Sequence, residues 1–177
     1  GKDPVWEEQG EAEGDQFGYT LGSVGDVTGD GLGDVIVGAK FHDNSLELGK
    51  KAKTLSAAGK AYIYQGTRRG LAAKPWKVYL GATKQAQLSV RSYGLGDVDG
   101  DAMPELMISE PGADDGAGSL SIYASPDYKR TQTIQGSKFG LMDLGRAAGP
   151  AGDLNGDGYN DLVLAGKVGE RGQVLVF

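Results

Sequence analysis

A nine-residue acidic motif occurs three times in this chain and limits what can surround it. The copies are DVTGDGLGD from Asp26, DVDGDAMPE from Asp97 and DLNGDGYND from Asp153. Oxygen-bearing side chains stand at positions 1, 3, 5 and 9: Asp26, Thr28, Asp30 and Asp34; Asp97, Asp99, Asp101 and Glu105; Asp153, Asn155, Asp157 and Asp161. On a tight turn, alternate side chains converge on one point, and a backbone carbonyl at position 7 (Leu32, Met103, Tyr159) adds another oxygen. An all-oxygen shell suits a hard cation, so each loop is expected to cradle Ca2+, up to three ions in all.

Two other readings compete. The helix-flanked EF-hand loop places its bidentate acid at position 12, where these loops have Val37, Ile108 and Leu164, so that reading is excluded. Asp and Gly are also good turn formers in their own right. That accounts for one such loop, but turn chemistry does not require acids at positions 1, 5 and 9 three times over.

The formal net charge is −6, and the three loops hold ten of the acids; removing those ten leaves +4. Three bound divalent ions would bring the total to about zero, so the acidity sits where a cation neutralises it. Nucleic acid is therefore not expected as a partner. With no cysteine there is neither a disulfide nor a thiolate metal site, and the single histidine, His42, cannot form a zinc site alone. No apolar run is long enough to span a membrane. Calcium loops of this kind bind weakly and fill where the ion is near millimolar, which points to an extracellular or cell-surface setting.

Each motif opens onto a short apolar run, VIVGAK, LMISEP or LVLAGK, ended by Gly or Pro as buried strands are. Strand-like segments precede the motifs from Gln16, Gln87 and Lys138, the third being five residues longer. Further strands begin at Gly59, Gly118 and Gly172, and fourth strands lie near 74–81 and 130–136. Units of this length with four antiparallel strands are propeller blades in sequence. The expected fold is thus all-β, a set of β-propeller blades that leaves the ring incomplete.

Phe17-Gly18 and Phe139-Gly140 before the loops, with Gly38-Ala39 after the first, resemble the FG-GAP repeats of integrin α-subunit propellers and their bacterial relatives. The resemblance implies three four-stranded blades with the calcium loop between first and second strands. It also implies ligand binding on the opposite face, where the strand 2–3 and 4–1 connections lie. The second repeat departs from the pattern, with Leu88-Ser89 in place of Phe-Gly and Glu110-Pro111 in place of Ala-Pro. Ala102 stands at position 6, where the turn prefers Gly, so the Asp97 loop is expected to be the most distorted and the Asp153 loop the most regular.

The expected organisation is a spare outer strand in 1–14, blade repeats over 15–81 and 82–136, and a third over 137–177 lacking its fourth strand. Trp6 and Gly10 resemble Trp76 and Gly81 of the first repeat's fourth strand. Completion is expected from further blades of a longer chain or from another copy joined head to tail. The function expected is a non-catalytic, integrin-like adhesion module that binds a protein or glycan. There is no G-x-S-x-G and no P-loop, and Asp114-Asp115 reads as a turn. The alternative is a carbohydrate-binding or polysaccharide-processing propeller, with Trp6, Trp76, Tyr79 and Tyr128 as sugar platforms. The insertion from Phe41 to Ala58, holding His42, Asp43, Asn44 and Glu47, is the candidate ligand-facing loop.

Overall fold

The structure, a computed structural model, describes residues 3–48 and 51–177, and at 46–48 and 51 the backbone alone. Its regular elements are strands and two 3-10 turns. The first sheet holds β1 (Phe17–Gly25) and β2 (Asp34–Ala39). A projecting hairpin follows, β3 (Asn44–Leu48) and β4 (Lys51–Leu55). The chain then returns to the sheet with β5 (Lys60–Tyr64), makes a short ladder of β6 (Gly66–Thr67) and β7 (Gly70–Leu71), and completes the sheet with β8 (Lys77–Leu80). The second sheet contains β9 (Ser92–Gly96), β10 (Glu105–Glu110), β11 (Ser119–Ala124) and β12 (Lys129–Gln135); the third contains β13 (Met142–Gly152), β14 (Asp161–Val168) and β15 (Arg171–Val176). Each sheet is an antiparallel meander with neighbours paired in chain order, so these are two four-stranded propeller-type blades and one of three strands.

The second strand of each sheet is apolar on both sides because both its faces are covered. Ile36, Met107 and Val163 stand ten residues after the start of their motifs. Ile36 packs toward the second sheet with Ala61, Ile63 and Tyr79, meeting Leu106, Ile108 and Tyr123. Met107 and Leu120 pack toward the third sheet against Leu144, Leu162 and Leu164. Period-two alternation thus sends successive residues of one strand into two different inter-sheet cores. Each fully buried side chain of this size contributes about 1.5–3 kcal/mol.

The first sheet's other face is covered by the N-terminal segment, where Trp6 and Phe17 pack on the cluster of Val37, Ala39, Tyr62 and Tyr64. Residues 3–16 enter no ladder among the described residues. An outer strand needs its own sheet's third strand beside it, and the described residues provide none. Trp6 instead sets its ring edge-on to Tyr64 at 5.0 Å and donates its indole N–H to the Ala72 carbonyl at 3.2 Å. Trp76 rests in the same way on Tyr128 of the second sheet, at 5.8 Å and 79°. Each tryptophan thus sits on the third-to-fourth-strand region of the sheet that follows it.

The pairing of Phe139-Gly140 with Phe17-Gly18 is corrected. Leu144-Gly145 takes that place: Leu88 and Leu144 make matching parallel bridges, to Gly59 and Gly118. Gly18, Ser89 and Gly145 share a left-handed backbone, with φ of 86°, 72° and 88°. All three lie eight residues before the first acid of their motif. A Cβ on Gly145 would stand 2.8 Å from that of Ser109, so space favours glycine there. Phe139 ends the 3-10 turn Gly136–Phe139, which absorbs the extra length of the third repeat, and its ring packs edge-on against Phe177.

Candidate metal centres

The three acidic motifs form the hairpin loops between β1 and β2, β9 and β10, and β13 and β14, and they share one hydrogen-bond plan. The carboxylate at position 1 turns back into its own loop. Asp26 accepts from the N–H of Gly29, Asp30 and Gly31 at 2.7, 3.0 and 2.6 Å. Asp97 accepts from Gly100 and Ala102 at 2.6 and 2.9 Å. Asp153 accepts from Gly156, Asp157 and Gly158 at 2.6, 3.2 and 2.9 Å. At position 5, Asp30, Asp101 and Asp157 accept from the N–H of Leu32, Met103 and Tyr159 at 2.8, 2.7 and 2.9 Å. Position 3 is more varied: Asp99 and Asn155 cap the N–H of Asp101 and Asp157, and Thr28 Oγ1 lies 3.5 Å from Asp26.

Position 9 opens the second strand of each sheet, and its side chain is buried: Asp34 is 0% exposed, Glu105 1% and Asp161 9%. These acids differ in how far they are satisfied. Asp34 accepts from Val27, Thr28 and Gly66, which occupies both its oxygens. Asp161 accepts from Leu154 at 2.6 Å. Glu105 accepts from Val98 at 2.7 Å through Oε2, while its buried Oε1 has no partner. Asp97, Asp99 and Glu105 each bring one carboxylate oxygen within 4.8 Å of the others.

Electrostatics separate the loops in the same way. Burial raises the Glu105 carboxyl to about 7; the Val98 N–H opposes the shift, and the charges of Asp99, Asp101 and Asp97 add to it. The Asp153 carboxyl is held below its ordinary value by backbone N–H groups, Gly158 first, against a desolvation contribution. For Asp26 the largest single influence is desolvation, which raises it, but the N–H groups of Gly31, Asp30 and Gly29 together prevail and lower it. The residues fit a hard cation best in the second loop, where Glu105, one of whose oxygens is buried and orphaned, converges with two further carboxylates. The distortion expected from Ala102 is local, because that residue accepts φ of 69° and its N–H keeps the bond its counterparts make.

The candidate ligand loop has a different character. Asn44, 3% exposed, donates its amide to the carbonyls of Gly59 and Gly81, both at 2.9 Å. Asp43 accepts from Ala57 N–H at 2.8 Å, closing the base of the β3–β4 hairpin. His42 lies 3.0 Å from Asn44 Oδ1 and 3.1 Å from Glu11 Oε2. These three side chains fasten the hairpin, while Gly49, Lys50 and the side chain of Glu47 lie outside the described residues. Sequence reasoning missed Glu11, whose carboxyl is held down at about 2 by the Lys60 ammonium first, with His42 and Tyr62 assisting against burial. It ties the N-terminal segment to β5.

Of the expected sugar platforms, Tyr79 and Tyr128 are consumed by packing, whereas Trp76 stays 42% exposed. Tyr79 packs at a tilt on Tyr123, with ring centroids 4.4 Å apart, and Tyr128 is buried and donates its hydroxyl to the Pro104 carbonyl. Asp114 and Asp115 form a 3-10 turn, with Asp114 accepting from the Ser137 hydroxyl.

Comparison with known proteins gives a consistent result. The FG-GAP repeat family matches residues 17–64 and 145–177, the second span beginning at the left-handed Gly145. Integrin alpha-4 of Xenopus laevis is 28% identical over 179 residues, covering 97% of this chain and 16% of that protein. Integrin alpha ina-1 of Caenorhabditis elegans is 31% identical over 176 residues, 88% of this chain and 15% of that protein. Integrin alpha-X of Homo sapiens is 31% identical over 186 residues, 97% of this chain and 15% of that protein. The chain therefore spans about a sixth of the length of these relatives. Among the described residues no helix is long and apolar enough to cross a membrane. Blade-type sheets, hairpin loops of one repeated plan and these similarities together make the chain an integrin-alpha-like FG-GAP repeat protein.

Proposed function

We propose that this chain is a calcium-stabilised, non-catalytic interaction segment of an extracellular or cell-surface protein, an adhesion-type module whose partner is a protein or a glycan. The observation that carries the reading is the unpartnered, buried Oε1 of Glu105 beside Asp97 and Asp99. A buried carboxylate without a partner is costly, and three converging carboxylates repel one another until a cation joins them. Asp97, Asp99, Asp101 and Glu105 would hold one ion with the Met103 carbonyl. The sets at Asp26, Thr28, Asp30, Leu32 and Asp34, and at Asp153, Asn155, Asp157, Tyr159 and Asp161, would hold two more. Bound calcium supplies charge neutralisation, and its binding free energy becomes folding free energy.

The segments 15–81, 82–136 and 137–177 act in this reading as blades of a larger ring, completed by the same longer chain or by a second copy. Similarity to integrin alpha chains supports the surface setting and the adhesive role. Thermal unfolding tests the metal. At a free calcium concentration a hundred times the dissociation constant, each filled site adds about 2.7 kcal/mol. Excess EDTA should lower the melting temperature by several degrees, and an identical melt with and without chelator would defeat the proposal.

A further inference from the structure

At the opposite end of the sheets from the acidic loops, a groove of about 210 Å³ opens between the first and second sheets. Glu110 lines it at the end of β10 and is only 8% exposed. Repeat register makes its presence there unexpected. Counted from the motif starts, Glu110 occupies the place of Ala39 in the first repeat and Gly166 in the third. Those residues let the strand end close against its neighbour, whereas Glu110 puts an ionisable group into the same space.

Among the described residues the Glu110 carboxylate has no ion pair, and no side-chain hydrogen bond contributes to its titration. Burial raises its pKa, and the Arg130 guanidinium, in the same groove but not in contact, opposes that shift. A largely buried carboxylate without an ion pair thus stands where the other two repeats carry Ala39 and Gly166. Such departures mark functional positions.

The rest of the lining indicates what would satisfy it. Thr83, Thr133 and Gln135 bring groups that both donate and accept, and Leu88 supplies an apolar wall. A purely cationic ligand would meet Arg130, and a purely anionic one would meet Glu110 and Asp114. A neutral ring bearing several hydroxyls can donate to the carboxylate and accept from the guanidinium at once. The volume lies below the range of about 300–1,000 Å³ usual for drug-sized ligands, so it holds one ring.

We propose that this groove, lined by both Glu110 and Arg130, is a binding site for a single neutral sugar ring of a glycan. The site rests on the reading of the chain as a binding module and is separate from its metal loops. It can fail while calcium stabilisation holds.

The test uses the full, calcium-loaded chain labelled with 15N and titrated with the methyl glycosides of glucose, galactose and N-acetylglucosamine. Butylammonium and acetate serve as charged controls. At least one glycoside should give saturable shifts confined to amides of residues 109–119 and 130–135. Losing a hydrogen bond to a charged group should make Glu110→Gln bind about tenfold more weakly, and Thr133→Val provides a second variant that leaves the charges in place. Glu110→Gln should melt no lower than the parent, because the carboxylate has no partner to lose. Absence of saturable shifts with all three glycosides, tighter binding of butylammonium or acetate than of any glycoside, or a marked drop in the melting temperature of Glu110→Gln would each overturn the proposal.

Discussion

Glu105 stands where the other repeats have Asp34 and Asp161; Asp34 has donors at both oxygens, including the Gly66 N–H, whereas the buried Oε1 of Glu105 has none. Its carboxyl titrates near 7 in the folded chain, above the ordinary glutamate value of about 4.3 in the unfolded chain. The folded state therefore holds this proton more tightly. In the metal-free protein the associated stability is complete below about pH 4.3 and disappears as pH rises through about 7. Glu105→Gln keeps an acceptor for the Val98 N–H and turns an amide toward the other carboxylates. In EDTA at pH 8 it should gain on the order of 1–3 kcal/mol over the parent and show a flatter stability profile between pH 5 and 8. Denaturant melts at several pH values check this, and a variant less stable than the parent at pH 8 would show that the carboxylate is already satisfied.

Position 6 needs a left-handed residue in every loop, and Gly31 and Gly158 adopt φ of 86° and 93° without cost, whereas Ala102 accepts 69°. Left-handed backbone costs an ordinary L-residue roughly 1–2 kcal/mol. Ala102→Gly should thus stabilise the metal-free chain by about 1 kcal/mol and Gly31→Ala destabilise it by a similar amount, as chemical denaturation would measure. The loops were legible in sequence because their chemistry is local: acids, glycines and spacing all lie within nine residues. The FG position was harder to read. Phe139-Gly140 matches by letter, but Leu144-Gly145 matches by distance from the motif, and the Leu144–Gly118 bridge together with the contact of Gly145 to Ser109 decides between them. Counting back from Asp153 without allowing the gap would have found it. The β3–β4 hairpin in the insertion gave weaker signals, since its anchor, Asn44, works through carbonyls of Gly59 and Gly81 that are distant in sequence.

At the scale of the whole molecule, stability comes from sheets lying on one another, and equivalent residues differ in worth according to what covers them. Ile36, Met107 and Val163 occupy one register position. Ile36 and Met107 are fully buried under the next sheet, whereas Val163 is half-buried and its neighbours on β15, Val174 and Val176, are 64% and 56% exposed. No sequence pattern separates the three, because each run alternates for two covered faces; only the arrangement of sheets does so. Met107→Ala should cost about 2–5 kcal/mol, as truncation in a closed core does. Val163→Ala should cost under about 0.5 kcal/mol in this chain, where the side chain has little to lose. The comparison also reads out assembly. If a further sheet comes to lie on β14 and β15, from a longer chain or a second copy, the cost of Val163→Ala should rise toward that of a buried aliphatic truncation while that of Met107→Ala stays the same. Parallel denaturation of both variants in this chain and in a longer one distinguishes the cases, and equal costs for Met107 and Val163 in the present chain would contradict the sheet arrangement described here.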